Sequence, residues 1–574
     1  MPGCEPSSVA DHRRHVSTRR SRETLGNSAY LSLVVAQQLT NTLSISLSRV
    51  SNVHVYIAMM SSPTSAPRTE PSGTTGRPES IWLSDTALLI YIALATVIVH
   101  LITGRNYGFH RDELATLEDA RHLARGYIAY PPVTPFFGRI SLLLFGTSLT
   151  GFRFFAAVAE AAAVVITGLM ARDLGGRRRA QMVAAVAALP FCIAAGTLMQ
   201  YVSFDYLAWV LTAYFFIRLL KTEDPRWWTA IGAGIGFGLM SKYSIVFFVA
   251  GLLVGMLLTS ARRYLLSKWF WVGVGVAFLI FLPNFLWQVQ HGFISIDFLK
   301  HIHARDVRIG RTENFLPGQL NLILLAFPLC LAGLYFYFVA GAGRRFRTVG
   351  WMYVVPLLLF VIGKGRAYYL GAAYPMLYAG GAVWGEQWLA SMKRGTANLV
   401  RALAWVALLA DVVLMSALFL QIAPVNSSWW KFAIKSNGDF VEEIGWPELV
   451  RIVAQIRDSL PVEDRAHLGI LAGNYGEAGA LNLYGPEYGL PRAISGINSF
   501  WQRGYGDPPP QTLIVVGLSQ GFLERQFASC QLAAHVWNHY GVQNEETRDH
   551  PDIYVCRGLK QSWPEFWKSF RYYG

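Results

Sequence analysis

Residues 108–141 read GFHRDELATLEDARHLARGYIAYPPVTPFFGRIS, and the reading of the whole chain turns on this polar interruption. Just upstream, residues 84–103 form an apolar run near the length needed to cross a bilayer. From Asp112 to about Arg125 there is neither Pro nor Gly, and Leu114, Leu117, Arg121 and Ala124 fall on one stripe. That pattern predicts a helix lying along the membrane surface and ended by Gly126. Pro131-Pro132 then opens a second short apolar helix leading to the next span. Two adjacent carboxylates, Asp112 and Glu113, are costly neighbours at a span's end unless one serves as general base and the other as orienting group or cation ligand. A solvated helix N-terminus favoured by the dipole is the equal alternative.

Outward from this stretch the chain is that of a polytopic membrane protein. Of 574 residues 53% are hydrophobic and 15% charged, with mean hydropathy +0.32, which excludes an ordinary cytosolic enzyme. About eleven helical spans are expected, at 84–103, 151–171, 180–198, 203–220, 228–240, 243–260, 269–287, 317–340, 349–362, 367–389 and 399–421. Basic residues gather at Arg172/Arg177/Arg178/Arg179, Lys221/Arg226, Arg262/Arg263/Lys268, Arg344/Arg345/Arg347 and Lys393/Arg394, each in a loop on the side of the basic N-terminal tail. The positive-inside bias makes that side cytoplasmic. Residues 1–83 read as a disordered cytoplasmic tail, and Met59-Met60 as the expected native start, the segment before it being an artefact of gene calling. The net charge of +14 belongs to this half: residues 422–574 carry 13 basic and 16 acidic residues, which leaves 37 basic against 20 acidic before them. No nucleic-acid partner is needed to explain it.

An odd number of spans puts residues 422–574 outside. They are soluble in composition and predict a small α/β domain, with a helix over Trp446–Leu460 and buried strands at Leu468–Leu471, Thr512–Val516 and Ile553–Cys556. Cys530 and Cys556 are the domain's only cysteine pair, and a disulfide and two buried thiols are equal readings. Cys4, Cys192 and Cys330 show no metal-ligand spacing.

The remaining polar outliers share the outer face. Asp205 stands in SFDY at the start of the fourth span, Lys242 in MSKYS between spans five and six, and Lys364 and Arg366 in GKGRAYY after span nine. Each alone reads as a snorkelling interface anchor. Together with the first-loop pair they set carboxylates and cations on one membrane face, which suits an anionic head on an apolar tail. A lipid phosphate, held by Lys and Arg while a carboxylate activates an acceptor, fits best.

The 108–141 stretch resembles the first outer loop of the GT-C fold glycosyltransferases, in the superfamily of protein mannosyltransferases and aminoarabinose transferases. FDYLAW, GLMSKYS and GRAYYLGAAYP are similar to its bacterial members in order and position, so the resemblance covers roughly residues 84–390. GNYGEAGALNLYG and GLPRAISGINSFW extend it loosely into the outer domain. The resemblance implies a mainly α bundle at 84–421 with first outer loop 104–150, a C-terminal extracytoplasmic α/β domain at 422–574, and a bacterial cytoplasmic-membrane location. The activity implied is inverting transfer of a hexose or pentose from a polyprenyl-phosphate donor to a lipid, glycan or protein acceptor. Asp112 matches the family's first-loop aspartate, taken as the base; Glu113 is its usual neighbour, and Asp205 a second carboxylate in the same cavity. Lys242, Lys364 and Arg366 fall where the family gathers cations around the donor phosphate. Arg111, His122, Tyr127, Tyr130, Tyr368 and Tyr369 are the further substrate-binding residues it implies, although the two last are equally interface aromatics. Some relatives hold a divalent cation through carboxylate and His; here no ligand set is evident and no resident metal or other cofactor is assigned.

The stretch Gln288–Gln319, with His291, His301, His303, Arg305, Asp306, Arg308 and Arg311, is expected to be a long loop, read either as a lid over the site or as a solvated loop. A secondary transporter or lipid flippase is the competing class. It would put ionisable groups at mid-membrane in repeated halves, whereas only Glu160 and Asp411 lie deep here. A receptor-like membrane protein leaves Asp112, Asp205 and Lys242 unexplained.

Overall fold

The computed structural model describes residues 84–574; the tail with its basic run and Met59-Met60 lies outside the described residues. The chain groups into two compact units, Met1–Ala87 and Leu88–Gly574. Of the first, only residues 84–87 are described, the opening turn of a helix in which Ser84 Oγ accepts from the Ala87 amide at 3.2 Å.

Helices follow in the order α1 Asp85–Thr103, α2 Arg111–Arg121, α3 Val133–Phe145, α4 Leu149–Asp173, α5 Arg178–Ala195, α6 Tyr201–Thr222, α7 Trp227–Leu239 and α8 Ile245–Leu257. They continue as α9 Lys268–Gln290, α10 Ile294–Arg308, α11 Phe315–Ile323, α12 Phe327–Phe338, α13 Arg347–Ile362, α14 Tyr374–Ala390 and α15 Arg394–Phe419. All eleven apolar segments are helical. Among the described residues eight helical segments have the length and composition to cross a membrane, or nine if α8 and the turn Ser260–Leu266, bent by 108°, count as one. The expectation of about eleven full spans is corrected accordingly, because α7 and α8 have 13 residues each and α14 has 17, about 20 to 26 Å at 1.5 Å per residue. The short α7 is held by close backbone approach: a Cβ on Gly232 would lie 2.1 Å from the Gly273 carbonyl oxygen of α9, the small-residue seam by which helices pack in lipid.

The first outer loop holds two helices, α2 and α3, on either side of Pro131-Pro132, but α2 stops at Arg121 with His122 as its C-cap, short of the expected end at Gly126. The stretch after Gln290 does not. It forms α10, whose Ile294 and Phe298 pack with Ile128 and Trp287 and approach Ile302. Apolar residues at 294, 298 and 302 are spaced four apart, a helical edge masked in the sequence by the surrounding His and Arg.

Beyond α15 two longer helices, α16 Trp446–Ser459 and α17 Tyr475–Tyr484, accompany a sheet of β1 Leu468–Ala472, β2 Ala493–Ile494, β3 Thr512–Val516, β4 Phe527–His535 and β5 Asp552–Leu559. Strand order is β2-β1-β3-β5-β4, with β1 parallel to β2 and β3, and β5 antiparallel to β3 and β4. Cys530 pairs with Cys556 across β4 and β5 and is joined to it in a disulfide. Alternation sorts the two faces: Leu471, Leu513 and Val515 meet the C-terminal Phe566, Trp567 and Phe570, while Ile470, Ile514 and Val516 face the other way. That second face shares one core with Leu449 and Val453 of α16, Leu114 and Leu117 of α2, and Phe152 and Phe204 of the bundle. The C-terminal region is thus packed through α2 onto the helix bundle, within the single unit Leu88–Gly574.

Candidate active site

α2 begins with a reciprocal cap: His110 Nδ1 accepts from the Asp112 amide at 3.2 Å, and Glu113 Oε2 from the His110 amide at 3.0 Å. The cap turns the two neighbouring carboxylates in different directions. Asp112 accepts from the Tyr475 hydroxyl at 2.9 Å on one oxygen and from Gln200 Nε2 at 3.3 Å on the other. Glu113 is fully buried, its oxygens bound by Arg153 at 2.6 and 2.9 Å and by the Met199 amide at 2.8 Å. Glu113, the expected catalytic neighbour of Asp112, is thus engaged on both oxygens inside a buried network with Arg153. Arg153 also binds Glu443 at 3.0 Å and the carbonyls of Gly104 and Gly108, joining α1, α2, α4 and the segment after α15. Burial pushes Glu443 up to about 7, against the opposing charge of Arg153. The sequence reading missed Arg153 because one Arg at the start of a span looks like an interface anchor.

Gln200 is the N-cap position of α6, Tyr201 is its first residue, and Asp205 stands one turn further on. Asp205 accepts from Trp209 Nε1 at 3.1 Å and from Ser244 Oγ at 2.8 Å. Lys242, in the turn between α7 and α8, sits over three aromatic rings, with Nζ 4.9 Å from the centre of Tyr201, 5.0 Å from Tyr368 and 4.2 Å from Tyr369. Burial lowers its pKa. Phe191, Asp205, Tyr206, Lys242, Tyr368 and Tyr369 line a small cavity. Arg366 enters from the α13–α14 link and is bound by the buried Asp306 of α10 at 2.5 Å. The Tyr130 ring lies tilted against Tyr201, centres 6.0 Å apart, and its hydroxyl donates to Asp119 at 2.6 Å; burial raises the pKa of Asp119 although Arg503 binds it. Asp112, Asp205, Lys242, Tyr368, Tyr369, Arg366 and Tyr130 therefore gather around Tyr201 at one end of the bundle.

Four other expected residues stand apart. Arg111 pairs with Glu545 and lies over the Tyr475 ring. Tyr127 donates to the Asp119 carbonyl and ties off the α2–α3 turn. His122 bonds the Glu118 carbonyl at 3.0 Å, one helical turn back. Lys364 is exposed with φ +48°. Tyr475 was missed altogether, though its Asn474-to-Glu477 spacing is the capping-box signal of a helix start.

Residues 129–287 match the family described as dolichyl-phosphate-mannose-protein mannosyltransferase, a stretch that contains Tyr130, Asp205 and Lys242. The lipid A galacturonosyltransferase RgtD of Rhizobium johnstonii is 26% identical over 121 residues, 21% of this chain; the chain thus matches only 25% of that relative's length. Two structures of ArnT from Cupriavidus metallidurans share the fold. The one bound to undecaprenyl phosphate aligns with TM-score 0.51 at 17% identity, and the one in the apo state with TM-score 0.50 at 17%. Each alignment covers 82% of this chain and 97% of the ArnT chain. The bundle and the sheet region thus share the fold of ArnT, and the segment 129–287 within that bundle is the part that matches the mannosyltransferase family.

Proposed function

We propose that this protein moves a sugar from a polyprenyl-phosphate donor to a lipid, glycan or protein acceptor, with inversion at the anomeric carbon and Asp112 as general base. The observation that carries this reading is the meeting of Asp112 with the Lys242 cage and Asp205 around Tyr201. The undecaprenyl phosphate bound to ArnT and the lipid A substrate of RgtD support a lipid-linked donor and favour a lipid acceptor. In this scheme the acceptor hydroxyl attacks the anomeric carbon, its proton passes to Asp112, and the carbon–oxygen bond to the lipid phosphate breaks. Lys242 and Arg366 offset the charge left on the departing phosphate, Arg366 by sharing its contact with Asp306. Tyr368 and Tyr369 hold Lys242 and wall the sugar pocket. Among the described residues no group of three or more His, Cys, Asp or Glu side chains is placed to hold a metal ion, and in this scheme a divalent cation, where one takes part, arrives with the donor phosphate. The positive-inside pattern supports a site on the outer face of a bacterial cytoplasmic membrane, the N-terminus inside.

The test is incubation of detergent-solubilised protein with polyprenyl-phosphate-linked mannose, galacturonic acid and aminoarabinose, comparing wild type with Asp112→Asn. Release of free polyprenyl phosphate with one donor, lost in the folded variant, is the expected outcome. Undiminished release by Asp112→Asn removes the base assignment. Lipid translocation in proteoliposomes without any release would favour a flippase.

A further inference from the structure

Tyr475 belongs to the C-terminal region, 363 residues along the chain from Asp112, yet its hydroxyl is one of the two groups seen bound to that carboxylate. Its position is tightly determined. Asn474 caps α17 by accepting from the Glu477 amide at 2.9 Å, and Glu477 returns a bond to the Asn474 amide at 3.1 Å. The other amide edge of Asn474 donates to Glu546 at 3.2 Å. α17 packs directly on α2: a Cβ on Gly479 would stand 2.8 Å from the Leu114 backbone, and one on Gly476 2.9 Å from Arg111 Cβ. Arg111 covers the ring face of Tyr475, its guanidinium 5.0 Å from the ring centre and anchored on Glu545. A rigid phenol with a fixed hydroxyl direction is thus presented to Asp112. Burial and the neighbouring carboxylate both raise the pKa of this phenol, so it stays a donor.

We propose that Tyr475 is a positioning residue of the transfer reaction, supplied by the C-terminal region to hold Asp112 aimed at the acceptor hydroxyl. This inference rests on the base assignment of Asp112. A carboxylate fixed on one oxygen by Tyr475 loses rotational freedom and keeps the other oxygen to trade its longer, 3.3 Å contact with Gln200 for the acceptor. The region beyond α15 is then part of the catalytic apparatus.

The experiment compares wild type, Tyr475→Phe, Asp112→Asn and the double variant in the full-length protein, with the donor of the above panel that supports turnover. Tyr475→Phe keeps the ring and its packing on Arg111 and removes only the hydroxyl. The expected result is a drop in kcat of about tenfold with KM for the donor unchanged. The unfolding temperature should stay at the wild-type value, since only the aim of the carboxylate is lost. The double variant should be no slower than Asp112→Asn alone. A Tyr475→Phe enzyme with wild-type kcat, beside an inactive Asp112→Asn, overturns the positioning role and leaves the base intact. Loss of rate that tracks a lowered unfolding temperature assigns Tyr475 a structural role only, and also overturns it. Full activity in Asp112→Asn, or no turnover by wild type with any donor, removes the reading on which the proposal stands.

Discussion

At the scale of single residues, charge in this protein is either caged or cancelled. Lys242 lies among three rings with Asp205 lining the same small cavity, a setting that holds a cation beside that cavity. Lys242→Ala should raise KM for the donor by about tenfold or more, the weight of a lost charge-assisted hydrogen bond. Unchanged donor saturation would take Lys242 out of the phosphate site. Glu443 is the opposite case, a second carboxylate on an arginine already engaged by Glu113. Its ordinary value of 4.5 rises to about 7 in the fold, so between those values the native state binds more protons than the unfolded one. The contribution of Glu443 is complete below about 4.5 and is lost as pH climbs through about 7. Across that window the thermal midpoint of wild type should fall relative to Glu443→Gln, which stays neutral. Parallel midpoint curves would mean that Glu443 titrates alike folded and unfolded.

Elements were legible where one period rules. The spans announce themselves as apolar runs, β1 and β3 as short buried β-branched stretches, and α2 as a stripe that begins at its cap. The solvent-facing edge strand β4, with Phe527 its one fully buried residue, carries no such run and was not foreseen. α10 hid its apolar edge among basic residues, and α7 and α8 read as full spans because hydropathy does not report where a helix breaks. Within the candidate site, Asp112, Asp205, Lys242 and the tyrosines could be read locally, whereas Arg153 and Tyr475 owe their importance to partners far along the chain. Helix-to-helix fit makes a further prediction here. Gly479→Ala forces α17 away from the Leu114 backbone, which should cost about 1–3 kcal/mol of stability, the usual range for overpacking. It should also slow turnover without touching the site. An unaltered melting curve would show that α2 and α17 can separate freely.

At the scale of the molecule, the bundle and the sheet region are one folding unit because α2 contributes to the core of both. Lys431 and Lys435 are exposed in the connection after α15. A tryptic nick there should leave the two fragments eluting together from a size-exclusion column in detergent. Their separation would show that the shared core adds little. Reduction of Cys530–Cys556, which links only β4 and β5, should loosen that edge of the sheet while the fragments remain bound.

The contact between Asp112 and Tyr475 also sets a timetable for biosynthesis. The carboxylate emerges early from the ribosome, in the first soluble helix after α1, and its partner is added 363 residues later. All the later spans and the first strand, β1, are made before the two can meet. A ribosome that stalls, or a message that ends early, leaves in the membrane a protein with its donor pocket but an unsteadied base. Half-made copies work slowly, and full competence arrives with the C-terminal region.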